Sequence, residues 1–390
     1  MLKLKLSGER LVYLSKFIYL TFSTLLTLFL MFQKGPALFG EYSLFTVQIM
    51  FSSYIMLHGL PNVLQHSVSK QTAINLFFFF PSLISLVLIL ILSYFLSISS
   101  PVLFFAILFG SIIFSIVNIH TIGSQKYFLN LILTIAGNLW MPLLVLLDLF
   151  YSVDLDFILN IWGLNSVLIL IFSSIYFIQI RIYKNFIFNP NVSDLLNIIS
   201  NTLLGLPFEL LRYIERNFFS SILSETIFGV YSFIAYFMSS IQGIFVRTRN
   251  QFLINKISDD QTQIKLIQIY KKSIINLFLY ILIPYALLMF ALFSYYGLND
   301  LNYLYLLLFP YIYNLIFNLA SGYLISIELF SNTYIKTLFF LLITSLIFIL
   351  FLVVSSVMSL NFSISLLLLC FLALYFLARF LWKSNNLSIN

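Results

Sequence analysis

Twelve stretches of this chain are long and apolar enough to cross a bilayer as helices, and only short connections separate them. A span needs about 20 mostly apolar residues. The stretches are 11–32, 41–62, 73–97, 101–119, 127–148, 156–180, 196–219, 227–246, 270–296, 302–327, 334–358 and 362–382. Within hydrocarbon each backbone N–H and C=O must be satisfied inside the protein, which a helix does along its own length. The expected fold class is therefore an all-α integral membrane protein of about 12 transmembrane helices. Composition agrees: 8% of the 390 residues are charged, against about 25% in an ordinary soluble domain. The first stretch is too long for the core of a signal peptide and lacks a small-residue cleavage site, so it reads as a retained first helix.

The net charge of +7 is sorted by connection. With the amino terminus inside, the inner connections and the carboxyl tail hold Lys70, Lys126, Arg181, Lys184, Arg247, Arg249, Lys256, Lys265, Lys271, Lys272, Lys336 and Lys383. The outer connections hold Lys34 and otherwise carry Asp148, Asp154, Asp156, Glu225 and Asp300. Lys and Arg concentrate on the cytoplasmic side of membrane proteins. One missed or invented helix would invert every later loop, so the pattern predicts an even number of spans. Both termini are expected in the cytoplasm, with the chain a multi-pass membrane protein. Orientation accounts for the basic residues, and no nucleic-acid partner is needed. The polar stretch 247–267 reads at most as a cytoplasmic amphipathic helix. The single cysteine, Cys370, rules out an internal disulfide.

A short repeat divides the chain. Phe39-Gly40-Glu41-Tyr42-Ser43 returns as Phe228-Gly229-Val230-Tyr231-Ser232, 189 residues later. Each copy follows an odd-numbered span and opens an even-numbered one on the outer side. Six helices per half give the copies one orientation, as in parallel repeats related by an axis along the membrane normal. The expected organisation is a first half over 1–184, a cytoplasmic linker over 185–195 and a second half over 196–390. Within the repeat, glycine reads as a turn residue and tyrosine as an interfacial anchor.

Span seven carries the costly residues. Glu209, Arg212, Glu215 and Arg216 lie within eight positions of an otherwise apolar run. A charge in hydrocarbon costs at least about 2.5–3.5 kcal/mol on insertion scales, and such residues face a cavity or a partner. At helical spacing Glu209, Arg212 and Arg216 share a face, with Glu215 in reach of Arg212. The reading is a helix lining a wet cavity, its guanidinium forks suited to phosphate oxygens. Internal ion pairs, Glu209–Arg212 and Glu215–Arg212, are the plainer alternative. Lys16 in span one is a further cationic candidate for that cavity, or a side chain snorkelling to the surface. In span ten, Tyr311, Asn314, Asn318 and Ser321 share a face, as interhelical hydrogen-bond partners or cavity lining. Pro207, Pro284 and Pro310 predict kinks. His58, His66 and His120 are scattered, Asp148, Asp154 and Asp156 read as a solvated acidic loop, and no Gly-rich phosphate loop or metal cluster is found. Neither an enzyme nor a cofactor is expected, beyond a coupling ion, H+ or Na+, on Glu209 or Glu215.

Gly35-Pro36-Ala37-Leu38-Phe39-Gly40-Glu41-Tyr42-Ser43 resembles the turn after the first helix of polysaccharide-repeat flippases. Arg212-x-x-Glu215-Arg216-Asn217-Phe218, followed by Phe228-Gly229-Val230-Tyr231-Ser232, resembles their seventh-helix signature. These proteins belong to the multidrug/oligosaccharidyl-lipid/polysaccharide exporter superfamily. The resemblance implies a V-shaped bundle of two six-helix halves around a central cationic cavity. It implies movement of undecaprenyl-diphosphate-linked oligosaccharide to the outer leaflet for O-antigen (lipopolysaccharide) or capsule synthesis, with the polymerase machinery as a partner. Arg212 and Arg216 would meet the diphosphate or sugar. The first half departs from the pattern in having Lys16 as its one clear buried cation. A cation-coupled small-molecule or drug antiporter of the same superfamily is the second reading. A membrane polymerase or ligase is a third, and it lacks the sizeable external loop such enzymes carry.

Overall fold

The computed structural model describes residues 8–57, 74–75, 89, 101–179, 186–187, 212–242 and 260–297, with parts of 308–319 and 365–380. They are helical apart from turns and one pair of two-residue strands, β1 (Ile74–Asn75) and β2 (Phe186–Ile187), which run parallel. The helices are α1 (Gly8–Phe29), α2 (Pro36–Leu57), α3 (Pro101–Gly123), α4 (Tyr127–Asn138), α5 (Trp140–Leu147) and α6 (Leu155–Gln179). They continue with α7 (described over 212–222), α8 (Glu225–Gln242) and α9 (Asp260–Tyr296). Five stretches among the described residues are long and apolar enough to cross a membrane: Arg10–Lys34, Pro101–Gly123, Tyr127–Leu147, Leu155–Tyr176 and Ile274–Tyr296. The chain forms two compact units, one of residues 1–202 with 212–229, the other of 203–211 with 230–390.

Local chemistry sets the helix ends. The last turn of α1 widens into a π-helix, Leu30–Lys34, before Gly35 at φ +100° breaks it. Pro36 then opens α2, at a position where its missing N–H costs nothing. Span two therefore starts at Pro36 rather than at 41. Span five divides in two. Pro142 has no N–H to offer the Asn138 carbonyl one turn back, and α4 ends at Asn138. Asp154 caps α6, its Oδ1 accepting from the Phe157 N–H at 2.8 Å. Two further boundaries differ from expectation. Ile74–Asn75, placed at the start of span three, are extended and hydrogen-bond to Phe186–Ile187 instead. Residues 260–267, read as part of a separate surface helix, continue without a break into α9.

In the first unit, side-chain contacts give the helix directions. Leu103 lies against Gly163, Gly110 against Ser166, and His120 against Tyr176, so α3 and α6 run parallel. Asn118 meets Asn130 and Phe114 meets Gly137, so α3 and α4 are antiparallel. Ser15 bonds Asn130, and Lys34 pairs with Asp148 at the far end, so α1 is parallel to α4 and α5. Phe51 stacks on Tyr213 while Gly40 packs on Phe228, so α2 opposes the 212–228 segment. These directions are the ones that the alternation of spans one, two, four, five, six and seven requires. A core of Ile49, Met56, Phe104, Ile107, Leu108, Ile112 and Leu159 joins α2, α3 and α6. Trp140 and Trp162 stack at 5.2 Å between α5 and α6. On α6, Leu164, Val167, Leu168, Ile171, Phe172 and Ile175 are exposed, an apolar stripe that suits lipid and not water.

Close approach explains the glycines. A Cβ on Gly110 would lie 2.9 Å from the Ser166 Cα, so α3 and α6 touch backbone to backbone. Small residues allow this between membrane helices, where dispersion and not hydrophobic exclusion drives packing. The two copies of the repeat behave alike. Gly40 and Gly229 each occupy the fifth position of their helix. In both copies the Phe, Gly, Tyr and Ser are buried. The copies also pack on each other. A Cβ on Gly40 would meet the Phe228 ring at 3.0 Å, and one on Gly229 would fall 2.7 Å from Pro36 Cβ and closer still to its carbonyl. Two expectations are corrected here. The repeat glycines serve helix contact and not a turn, since positive φ among described glycines is confined to Gly35 and Gly297. Tyr42 and Tyr231 are core residues, 2% and 0% exposed, and not interfacial anchors.

In the second unit, α9 packs on the helical residues 308–312. The Tyr311 hydroxyl donates to the Phe278 carbonyl at 2.6 Å, and its ring lies 4.9 Å from that of Tyr285. Tyr311 thus acts as an interhelical hydrogen-bond partner, one of its two expected roles.

Candidate functional site

The described part of the charged stretch, from Arg212 on, lies on α7, where the Tyr213 ring stacks on Phe51 of α2 with centroids 4.8 Å apart. Asn217 Nδ2 donates to the Tyr213 carbonyl one turn back at 2.7 Å. On the face next to these residues, Glu215, Arg216 and Phe219 are 4%, 5% and 1% exposed. Arg212 is partly exposed. Arg216 Nε lies 3.9 Å from Glu215 Oε1, and both side chains are withdrawn from solvent.

The energetics of this arrangement favour a purpose other than stability. Two unit charges about 4 Å apart attract by about 4 kcal/mol at an effective dielectric of 20. Desolvation costs several kcal/mol per ion, so a buried pair of this kind does little more than offset its own burial. A well-packed apolar pair would hold the helix as well.

Of the two guanidiniums expected to look into water, Arg216 is closed off against Glu215 and Arg212 is partly exposed. An internal Glu–Arg pair is present between Glu215 and Arg216, a pairing that the plainer alternative did not name. Lys16 lies partly buried on α1, beside Ser15, whose hydroxyl bonds Asn130 Oδ1. Glu209, Asn314 and Asn318 lie outside the described residues. Among the described residues no group of three or more His, Cys, Asp and Glu could hold a metal ion.

A polar cluster around Asn130 escaped the sequence reading. Asn130, 2% exposed, donates from Nδ2 to Asn118 Oδ1 at 3.0 Å and to Thr121 Oγ1 at 3.1 Å, and accepts from Ser15 at 3.3 Å. Thr134 and Asn138 continue the polar face of α4 one and two turns on, each bonded to the carbonyl four residues before it. The spacing of Asn130, Thr134 and Asn138 is the signal that would have found it.

Among the described residues the fold is that of a mainly helical, multi-pass membrane protein with five candidate spans, and α7 carries a buried ion pair. No protein-family model, curated protein or solved structure matches the chain.

Proposed function

We propose that this protein is a flippase for lipid-linked oligosaccharide, carrying a diphosphate headgroup between leaflets by alternating access. The observation that carries the reading is the buried Glu215–Arg216 pair on α7, a costly arrangement that a passenger of opposite charge would explain. Arg212, partly exposed, makes the first contact with the phosphate oxygens. Arg216 exchanges Glu215 for phosphate when the path opens, and Glu215 is then free to carry the coupling ion, H+ or Na+. The matched burial and mutual packing of the two repeat copies support two six-helix halves about an axis along the membrane normal. The expected setting is the inner membrane with both termini cytoplasmic, and O-antigen or capsule is the expected product.

The test is complementation of a host lacking the chain. Arg212→Ala and Arg216→Lys together are expected to abolish surface polysaccharide while the protein stays in the membrane. Lysine is chosen at 216 because truncation there would leave Glu215 buried alone. Unchanged polymer output would overturn the reading. Drug sensitivity on deletion, with surface glycan intact, would favour the antiporter instead.

A further inference from the structure

We propose that Lys126, His120 and Tyr176 form a site for a phosphate-ester anion at the bilayer surface, independently of what the protein carries. Three of the five candidate spans meet the boundary at one end of the first unit: Pro101–Gly123 ends there, Tyr127–Leu147 begins there, and Leu155–Tyr176 ends there. The three side chains belong to those three helix ends. A hydrogen bond of 3.2 Å joins His120 Nδ1 and the Tyr176 hydroxyl. The Lys126 ammonium lies over the same tyrosine ring, 5.7 Å from its centroid. A positive charge, a phenol and an imidazole thus converge on one spot.

The spot is rigid. The Ser124 hydroxyl donates to the His120 carbonyl, and the Lys126 N–H to the Thr121 carbonyl, both at 2.7 Å. Asn130 clamps Asn118 and Thr121 from the buried side. Gln125 is held at φ +59°, a conformation that costs a residue other than glycine and persists only where its surroundings insist on it. Lys126 is exposed, so the charge stands at the surface of a fixed turn.

The chemistry selects the ligand. Whichever tautomer His120 adopts, the pair has one N–H or O–H donor beyond the bond it shares, beside the three donors of an ammonium. Such a set suits a multidentate oxyanion of net negative charge; at headgroup depth that is a phosphate ester such as phosphatidylglycerol, because Lys126 repels the choline ammonium of phosphatidylcholine. Tyrosine is itself favoured at that depth. A lysine that merely snorkels would owe nothing to the Tyr176 hydroxyl, which separates the two accounts.

The test uses the full chain in nanodiscs of phosphatidylcholine with rising fractions of phosphatidylglycerol, read as thermal stability. A second series titrates inorganic phosphate into pure phosphatidylcholine discs. Wild type is expected to gain stability in one series or both. A response to phosphatidylglycerol alone assigns the site to a lipid headgroup, and a response to phosphate assigns it to the soluble anion as well. Lys126→Ala and Tyr176→Phe should each weaken the response about tenfold, one charge-assisted hydrogen bond's worth. Lys272→Ala, at another exposed lysine, should leave it within about twofold, the spread expected of context. Absence of response in both series would overturn the proposal. So would a Lys126→Ala or Tyr176→Phe protein that responds like wild type, or a Lys272→Ala protein that loses as much.

Discussion

Gly229→Ala tests whether the two repeat copies touch as described. The new methyl would lie 2.7 Å from Pro36 Cβ and closer to the Pro36 carbonyl. Ordinary carbon contacts sit at about 3.5–4.0 Å, so α2 and α8 must part by roughly 1 Å or more. The obstacle is the backbone of the first turn of α2, which has no rotamer to change. Overpacking costs about 1–3 kcal/mol, and a rigid neighbour puts this case at the upper end. Alanine regains about 1 kcal/mol of helix propensity over glycine, leaving a net loss of about 2 kcal/mol. Gly40→Ala is the internal control. Its methyl meets the Phe228 ring at 3.0 Å, a side chain that can turn aside. Its small clash and its propensity gain should nearly cancel, within about 1 kcal/mol. Thermal unfolding of the detergent-solubilised protein, followed by size-exclusion recovery, reads both. Gly229→Ala is expected to melt several degrees lower and Gly40→Ala close to wild type. A Gly229→Ala protein as stable as wild type, or a Gly40→Ala protein that loses more, would refute the reasoning.

The buried pair gives a double-mutant cycle: Glu215→Leu or Arg216→Met alone should each cost about 3–5 kcal/mol, and the double variant less than either, measured by chemical denaturation in detergent. Additive losses would mean the two charges do not interact. Asn130→Leu should destabilise by about 1–3 kcal/mol, because it takes the donor from Asn118 Oδ1, while Ser15 and Thr121 keep their bonds to the Val12 and Asn118 carbonyls; the same melt reads it, and a neutral result would dismiss the cluster. Tyr311→Phe should cost about 0.5–1.5 kcal/mol through loss of the hydrogen bond to the Phe278 carbonyl, read by the same melt, and an unchanged melt would dismiss that bond.

Hydropathy located α1, α3, the α4–α5 pair, α6 and the apolar part of α9, because the membrane demands length and little else of a span. Ends were harder to place. The break at Asn138 depends on a proline four residues on, and Pro142 was visible in the sequence without its effect being drawn. The start of α9 at Asp260 was obscured because the apolar signal stops where the bilayer would, although the helix does not. The repeat was legible as a pattern, but its use was misjudged. A glycine beside a tyrosine near a span's outer end suits a turn with an interfacial anchor equally well. Only the neighbour across the gap, Pro36, separates the two. The charged residues of span seven were legible as an anomaly. That Glu215 would close on Arg216 while Arg212 stays partly exposed depends on which way α7 is rotated, and Phe51 on another helix takes part in that.

The 37 residues of α9 make a rod of about 55 Å at 1.5 Å per residue, against a hydrocarbon core of about 30 Å. Pro284 sits some two-thirds of the way along it, about 36 Å from Asp260. Bending at that proline by about 10°, well within what proline permits, would sweep the Asp260 tip through roughly 6 Å. The helix is thus a lever arm with its fulcrum inside the bilayer. A slight flexure among lipid tails becomes, at the aqueous tip, a displacement as large as one turn of helix.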